Sequence, residues 1–232
     1  MSEKPKLIRA IIFSLRSTFL LSLQTVVLFL SAGSLAWSWG WIYVAVVYLS
    51  ALLSMLIVGL TNEQLAKAEL EFPEEQQSWD KAFLRLTLPV MVAIFVVAGL
   101  DHRWGWSGEV ALTWRMAGIV GLLCITRPLS TWAMSVNRYW SGAVYVQHSK
   151  GHQVCDVGPY AFVRHPAYLA GIFQWIWPPL VLGSWWALIP AVLVSTVVLI
   201  RTYLEDEFLQ AELPGYLAYT KRVKYRLFPR VW

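Results

Sequence analysis

The sequence predicts an all-α integral membrane protein with about six membrane-spanning helices. Of its 232 residues, 57% are apolar and only 14% are charged, whereas soluble domains average about 25% charged residues. The apolar residues also form long runs, most of them near the roughly 20 residues that a helix needs to cross a bilayer. These runs are continuous, and continuity favours helices over a membrane β-barrel, whose strands alternate apolar and polar residues.

The predicted spans follow one another along the chain. They lie at about 18–36, 42–60, 84–100, 112–134, 168–182 and 185–203. The fifth is short and contains Pro178 and Pro179, so we expect it to form a tight hairpin with the sixth around the sequence LGSWW. The first run is too long for a cleavable signal peptide and has no small-residue cleavage site after it, so we expect it to stay in the mature protein.

Lysine and arginine are distributed asymmetrically among the predicted loops. With a cytoplasmic N-terminus, most of these residues fall in cytoplasmic segments, and the outer loops hold little beyond Arg103. The cytoplasmic segments in this topology are 1–17, 61–83, 135–167 and 204–232. This asymmetry predicts an even number of spans with both termini in the cytoplasm, in an inner membrane or an endomembrane.

The net charge of +5 therefore reflects membrane topology. The basic tail YTKRVKYRLFPR is typical of a segment beside anionic lipid head groups, so the predicted partner is the bilayer and not a nucleic acid.

The acidic loop 61–83 is interpreted as a solvated surface helix that ends near Pro73. Arg127 lies inside the fourth span, where it could be functional or could extend to the head groups.

The chain divides into two regions of different character. Residues 1–134 are predicted to form four spans with short connections. Residues 135–232 contain two polar, aromatic-rich segments that flank the hairpin and both face the cytoplasm. A pocket between these segments would contact water on one side and lipid on the other, so we expect the functional region here.

A zinc site is the first chemistry to consider. His148 and His152 are four residues apart and Cys155 follows three residues later, which on one helix face could bind zinc. Gly151 interrupts that helix, however, and no fourth ligand is evident. We therefore predict that the protein binds no metal. Cys124 and Cys155 are too few for a disulfide framework.

Arg201 and Glu205 lie four residues apart at the inner end of the last span, on one helix face. They could form an intrahelical ion pair worth about 0.3–0.5 kcal/mol. Alternatively, Arg201 could bind a carboxylate or a phosphate, and Glu205 could accept hydrogen bonds from hydroxyls or an ammonium group. Three successive acids, 205–207, are costly at a membrane edge, which favours a functional interpretation.

The segment GPYAFVRHPAYLAG begins with a turn signal at Gly158, and Pro166 suits the first turn of the fifth helix. Free amides at that helix start could hold a carboxylate. Tyr160 and Tyr168 could pack against a heterocycle or attract a cation. The alternative is a basic and aromatic anchor at the membrane interface.

Taken in order, these elements resemble the isoprenylcysteine carboxyl methyltransferase (ICMT) family. The resemblance rests on GPYAFVRHPAYLAG, the hairpin, Arg201 with Glu205, and GYLAYTKRVKYRLFP, and it covers about residues 137–232. Family members are membrane enzymes that use S-adenosylmethionine. The resemblance thus implies a cytoplasmic cofactor pocket in the C-terminal half and methylation of the carboxylate of a lipophilic, isoprenylcysteine-like substrate.

The resemblance also implies individual roles where the motifs match. It implies that Arg201 is the catalytic residue at the reacting end of the substrate. It implies that the cofactor is bound by Gln147, His152, Gln153, Val154, Cys155, Tyr160, His165, Pro166, Ala167, Tyr168 and Glu205. Methyl transfer from a sulfonium depends on positioning and exclusion of water. A carboxylate acceptor is already ionised at neutral pH, so no general base is needed.

Other functions stay open at this point. The acceptor could be a thiol, an amine or a phospholipid head group; a thiol or amine would need a base that the sequence does not clearly supply. A membrane reductase of the sterol-reductase type, which uses NADPH, has a similar stretch, with asparagine where this chain has Ala167. A non-catalytic membrane scaffold is disfavoured because Tyr160, His165, Arg201 and Glu205 occur together.

Overall fold

A computed structural model describes residues 3–62, 64–65 and 76–232, and the regular elements in these ranges are helical. We number the α-helices in chain order. They are α1 (Glu3–Ala32), α2 (Ser38–Thr61), α3 (Ser78–Trp104), α4 (Leu112–Val136), α5 (Pro166–Leu182), α6 (Leu188–Glu212) and α7 (Tyr216–Arg222). The predicted all-helical class is confirmed for this part of the chain.

Four of the described helices, α2, α3, α4 and α6, are long and apolar enough to cross a membrane. They contain all or most of the second, third, fourth and sixth predicted spans. The first predicted span lies largely in α1, whose apolar part, Leu21–Ala32, is too short to qualify alone. The fifth lies in α5, which has only 17 residues. The structure thus supports a membrane protein, with four candidate spans rather than six.

The helices share one apolar core. Its fully buried members include one or more side chains from each of the six longest helices: Leu28, Val47, Ile94, Leu122, Val181 and Val194. Because α1 to α3 pack on the same core as the C-terminal hairpin, the N-terminal half forms a supporting wall for the C-terminal half.

The α5–α6 hairpin is present where LGSWW predicted it. The helix α5 continues through both prolines and ends at Gly183, whose left-handed φ of 75° is a conformation that glycine adopts readily. From α4, Arg115 donates a hydrogen bond to the Val181 carbonyl oxygen (3.0 Å), which satisfies one of the free carbonyls at the end of α5.

The helix α4 widens into a π-helical turn at Gly121–Thr126, where it meets α5. A Cβ atom at Gly121 would lie 2.4 Å from the ring of Trp177, so only glycine permits this approach. The same indole donates a hydrogen bond to the Thr126 hydroxyl (3.0 Å). Next to this turn, the Nε atom of Arg127 is buried and has no hydrogen-bond partner among the described residues.

The segment between α4 and α5 folds against the C-terminal tail, as the sequence predicted. The amides of Arg164 and His165 donate to the carbonyl oxygens of Tyr225 and Arg226, each at 2.9 Å. The Tyr219 hydroxyl donates to the Tyr160 carbonyl oxygen at 2.7 Å. These bonds hold the predicted functional segment against α7 and the C-terminal tail.

Most of the acidic loop 61–83, with Pro73, lies outside the described residues. Its C-terminal end is described, and there the interpretation as a solvated surface is wrong for two residues, Gln76 and Asp80, which are both buried. Asp80, in the first turn of α3, is fully buried, because it pairs with Arg201 of α6.

Candidate active site

A cavity of about 340 Å³ lies between the 137–165 segment and helices α3, α5, α6 and α7. This volume falls in the range of about 300–1,000 Å³ that is typical of small-molecule sites. Most of the predicted site residues line it: His152, Gln153, Val154, Cys155, Tyr160, His165, Ala167, Tyr168, Arg201 and Glu205. Residues far apart in sequence therefore form one site.

Two of the predicted residues do not line the cavity. The buried side chain of Gln147 instead donates a hydrogen bond to the Tyr139 carbonyl oxygen (2.8 Å). Its backbone amide donates to Nδ1 of His152 (3.2 Å). Pro166 is the first residue of α5 and is buried behind the wall. Both residues support the cavity from behind.

Residues 153–155 form an extended part of the wall. Their backbone amides and carbonyls make no hydrogen bond to any residue that the structure describes. Because peptide groups rarely stay unpaired in a protein interior, this edge is suited to a ligand with its own donors and acceptors. Burial raises the pKa of the Cys155 thiol, so the thiol stays protonated and is a poor nucleophile.

His152 is held as a neutral ring. It stacks on Tyr139 with 4.6 Å between ring centroids, and its Nδ1 accepts the hydrogen bond from the Gln147 amide. Burial, reinforced by His148, lowers the pKa of His152 to about 4. The ring therefore carries no charge at neutral pH.

This pKa predicts a pH dependence of stability. Between pH values of about 6.5 and 4, the unfolded chain binds a proton at position 152 that the folded protein does not. The free energy of unfolding should therefore fall as the pH falls through this window. We expect the His152→Gln variant to lose less thermal stability than the wild type between pH 7 and pH 4.5. Melting curves at a series of pH values test this, and parallel curves for the two proteins would contradict it.

Aromatic rings form much of the remaining polar wall. The Tyr160 hydroxyl accepts a hydrogen bond from the side-chain amide of Asn137 (3.2 Å). Burial raises the pKa values of Tyr160 and Tyr216 well above the ordinary tyrosine value, so both are neutral phenols. Neutral ring faces of this kind can pack against a heterocycle or a cation.

Glu205 is the carboxylate of the cavity wall. The Tyr168 hydroxyl donates a hydrogen bond to its Oε2, and Glu205 forms no ion pair with any described residue. The intrahelical pair with Arg201, which the sequence left open, does not form. A half-buried carboxylate without a cation is a suitable partner for a cationic ligand group.

Arg201 is oriented by residues from outside the predicted site. Its Nε donates to Oδ1 of Asp80 (2.8 Å), and its Nη2 donates to the Gly142 carbonyl oxygen (2.6 Å). Its guanidinium carbon lies 5.4 Å from the centroid of the Tyr168 ring. Its Nη1 has no hydrogen-bond partner among the described residues, so this end of the guanidinium can bind a ligand.

Asp206 joins the wall to the C-terminal tail, and the sequence did not single it out from its acidic neighbours. Its side chain is fully buried. It accepts two hydrogen bonds from the guanidinium of Arg164 (2.8 and 2.9 Å) and one each from Tyr216 (3.0 Å) and Arg226 (2.8 Å). It also lies 3.1 Å from Nε2 of His165. Asp206 thus fixes the cavity residues Arg164 and His165.

The other end of the cavity is apolar. It is lined by side chains of the candidate membrane spans α3 and α6 and of α5, namely Phe83, Leu84, Met91, Trp175, Val194 and Val198. One cavity therefore joins a polar, charged end to an apolar end between membrane helices. Among the described residues, no group of three or more His, Cys, Asp or Glu side chains could hold a metal ion.

Comparison with models of known families identifies a match. The model of the isoprenylcysteine carboxyl methyltransferase (ICMT) family matches residues 119–211, which include most of the cavity wall. The match confirms the resemblance inferred from the sequence motifs for residues 137–211 and extends it into α4, whereas the tail motif after residue 211 lies outside the match. No curated protein matches the chain.

Proposed function

We propose that the protein is a membrane methyltransferase, since residues 119–211 match the model of the isoprenylcysteine carboxyl methyltransferase family, and that it transfers a methyl group from S-adenosylmethionine to a lipophilic carboxylate. We propose that the acceptor resembles isoprenylcysteine. In this account residues 135–232 form the catalytic region, and residues 1–134 form the membrane region that supports it.

The observation that carries the proposal is the placement of Glu205 and Arg201 one helical turn apart in one cavity. Glu205 is a carboxylate without an ion pair, and Arg201 has unpaired N–H donors. A cationic methyl donor and an anionic acceptor would thus each meet a group of opposite charge, side by side. Positioning of this kind is the main contribution an enzyme can make to a direct displacement.

The polar wall fits S-adenosylmethionine by its chemistry. The unpaired peptide groups of 153–155 can bind a base edge, the rings of Tyr160 and Tyr168 can pack against a heterocycle, and Glu205 can accept from an ammonium group or from ribose hydroxyls. When bound, the cofactor would supply an electrophilic methyl group on a sulfonium. His152, being neutral, does not repel a cation.

The acceptor would lie between Arg201 and the apolar end. Two of the three unpaired N–H groups, those at the outer edge of the guanidinium, can hold a carboxylate by paired hydrogen bonds, while the acceptor's tail packs among Met91, Val194 and Val198. A carboxylate is ionised at neutral pH, so none of these residues has to remove a proton. The apolar end of the cavity would limit the access of water to the reacting groups.

A methyl-transfer assay tests this function. The purified protein is incubated with S-adenosylmethionine labelled in the methyl group and a prenylcysteine analogue, and the product is then treated with alkali. We expect a labelled methyl ester, which releases methanol in alkali. We also expect Arg201→Gln to lower kcat/KM by about 100-fold, because a charge-assisted hydrogen bond is lost.

The matched control is Arg222→Gln, which removes an exposed arginine that pairs with Asp156 outside the cavity. It should leave the activity unchanged. A base-stable product, as a thioether or methylamine would be, or full activity of Arg201→Gln, would contradict carboxyl methylation.

We further propose six membrane-spanning segments, with both termini and the polar end of the cavity on the cytoplasmic side. The asymmetry of lysine and arginine supports this orientation. In a protein without its native cysteines, a cysteine at Lys221 should resist a membrane-impermeant thiol reagent added to intact cells, and a cysteine at Glu109 should react; both positions are exposed. Labelling of Lys221→Cys, or of the 61–83 loop, from outside would reverse the proposed orientation.

A further inference from the structure

Asp80 brings a buried carboxylate from the N-terminal half to the proposed active site. Its Oδ1 accepts from Nε of Arg201 (2.8 Å), and its Oδ2 accepts from the Val144 amide (2.9 Å) and from the side-chain amide of Gln76 (2.8 Å). The residue is fully buried and lies outside the region that matches the family. An ionised carboxylate in this environment is stable only because it is paired and hydrogen-bonded.

The contact with Asp80 uses one edge of the Arg201 guanidinium and leaves another open. The Nε and one Nη2 hydrogen are occupied by Asp80 and Gly142, while Nη1 has no partner among the described residues. The Arg201 side chain is 13% exposed and lines the cavity. Its open edge therefore keeps charged donors that can bind an anion, but the adjacent carboxylate of Asp80 offsets part of the positive charge.

This arrangement matters because of where the cavity lies. Its apolar end includes side chains of α3 and α6, which are long and apolar enough to cross a membrane, and phospholipid phosphates are abundant anions beside such helices. An arginine without a neutralising partner binds phosphates strongly, often through two hydrogen bonds. Without Asp80, head groups of the bilayer would compete for Arg201.

We propose that Asp80 is a specificity-determining residue, which keeps phospholipid head groups from occupying Arg201. The guanidinium then selects its ligand by the geometry of the N–H groups on its open edge and by the apolar cavity beside it, and not by charge alone. This proposal rests on the acceptor-binding role proposed for Arg201. It is tested by lipid binding without cofactor or methyl transfer, so its failure is distinguishable from failure of the proposed function.

The experiment measures binding of short-chain dihexanoylphosphatidylglycerol to the purified protein in a neutral detergent, through the lipid-dependent rise in melting temperature. We expect Asp80→Asn to bind this lipid at least about tenfold more tightly than the wild type. The gain should vanish in the double variant Asp80→Asn with Arg201→Gln. The control Asp101→Asn removes another buried carboxylate of α3, bonded to Ser107 and Ser184 far from the cavity, and should bind lipid as the wild type does.

Equal lipid binding by Asp80→Asn and the wild type would overturn the proposal. So would a gain that persists in the double variant, because the phosphate would then be bound elsewhere. If Asp80→Asn does not fold, Asp80→Ser offers a smaller neutral acceptor for the same comparison. The wild type can also be compared with Arg201→Gln: equal affinities are expected, and a weaker affinity of Arg201→Gln would show that Arg201 already binds phospholipid despite Asp80.

Discussion

Replacing Asp206 by alanine is expected to destabilise the protein strongly, because it removes the anion at the centre of a buried ion-pair network. The fully buried carboxylate is shared by Arg164, Tyr216 and Arg226. Its removal leaves the Arg164 guanidinium buried without its anion. Breaking a buried pair from one side typically costs about 3–5 kcal/mol, a large part of the roughly 5–15 kcal/mol that stabilises a folded domain.

Melting temperatures in detergent measure this effect. The matched control is Glu207→Ala, in the next position of α6. Glu207 is 51% exposed and makes a single ion pair with Arg226 (3.0 Å), so its loss should change stability by less than about 1 kcal/mol. We also expect Asp206→Asn to lie between the two, because the amide keeps one acceptor oxygen. Similar melting temperatures for Asp206→Ala and the wild type would show that the buried network around Asp206 does not stabilise the protein.

The second large effect is expected for Glu205→Gln, in cofactor binding rather than in stability. Glutamine keeps the size of the side chain and can still accept the hydrogen bond from Tyr168, but it loses the negative charge. A hydrogen bond to a charged group contributes about 1.5–3 kcal/mol, so the affinity for S-adenosylmethionine should fall about 10- to 100-fold.

Calorimetric titration with S-adenosylhomocysteine, the demethylated product, gives the affinity without turnover. This product retains the ammonium group and ribose hydroxyls that Glu205 is proposed to bind. Glu207→Gln is the control of equal charge change and should bind as the wild type does, because Glu207 does not line the cavity. An unchanged affinity in Glu205→Gln would mean that Glu205 has only a structural role.

The sequence was sufficient to predict the membrane class and the hairpin, because both depend on local signals. Long apolar runs specify helices whatever their neighbours are, and the glycine of LGSWW ends α5 as its conformational freedom allows. The first and fifth spans are less clear in the structure. Only Leu21–Ala32 of α1 is strongly apolar, and α5 is 17 residues long.

The site was predictable where its residues lie in compact motifs. The run from His152 to Cys155 and the RHPAY motif place most of their side chains on the cavity wall. Gln147 differs from them, because its side chain points away from the cavity and donates a hydrogen bond to the Tyr139 carbonyl oxygen. Sequence spacing indicates which residues are near each other along the chain, but it does not tell which of them point into a cavity.

The two buried aspartates were not predictable, for a physical reason. Asp80 is 121 residues from Arg201, and Asp206 is 42 residues from Arg164. No local periodicity links residues so far apart, so only the tertiary packing determines which arginine pairs with which aspartate. The acidic surroundings of each, in the 61–83 loop and in the 205–207 run, are typical of solvated surfaces. The surface interpretation of Asp80 failed because its arginine partner comes from the other half of the chain.

The most direct test of the central claim is which cofactor stabilises the purified protein. A ligand that binds only the folded state raises the melting temperature in proportion to the logarithm of its concentration above Kd. We expect S-adenosylmethionine and S-adenosylhomocysteine to raise the melting temperature of the wild type at increasing concentrations, and NADPH to leave it unchanged. Stabilisation by NADPH, with none by S-adenosylmethionine or S-adenosylhomocysteine, would contradict the methyltransferase account and favour a membrane reductase.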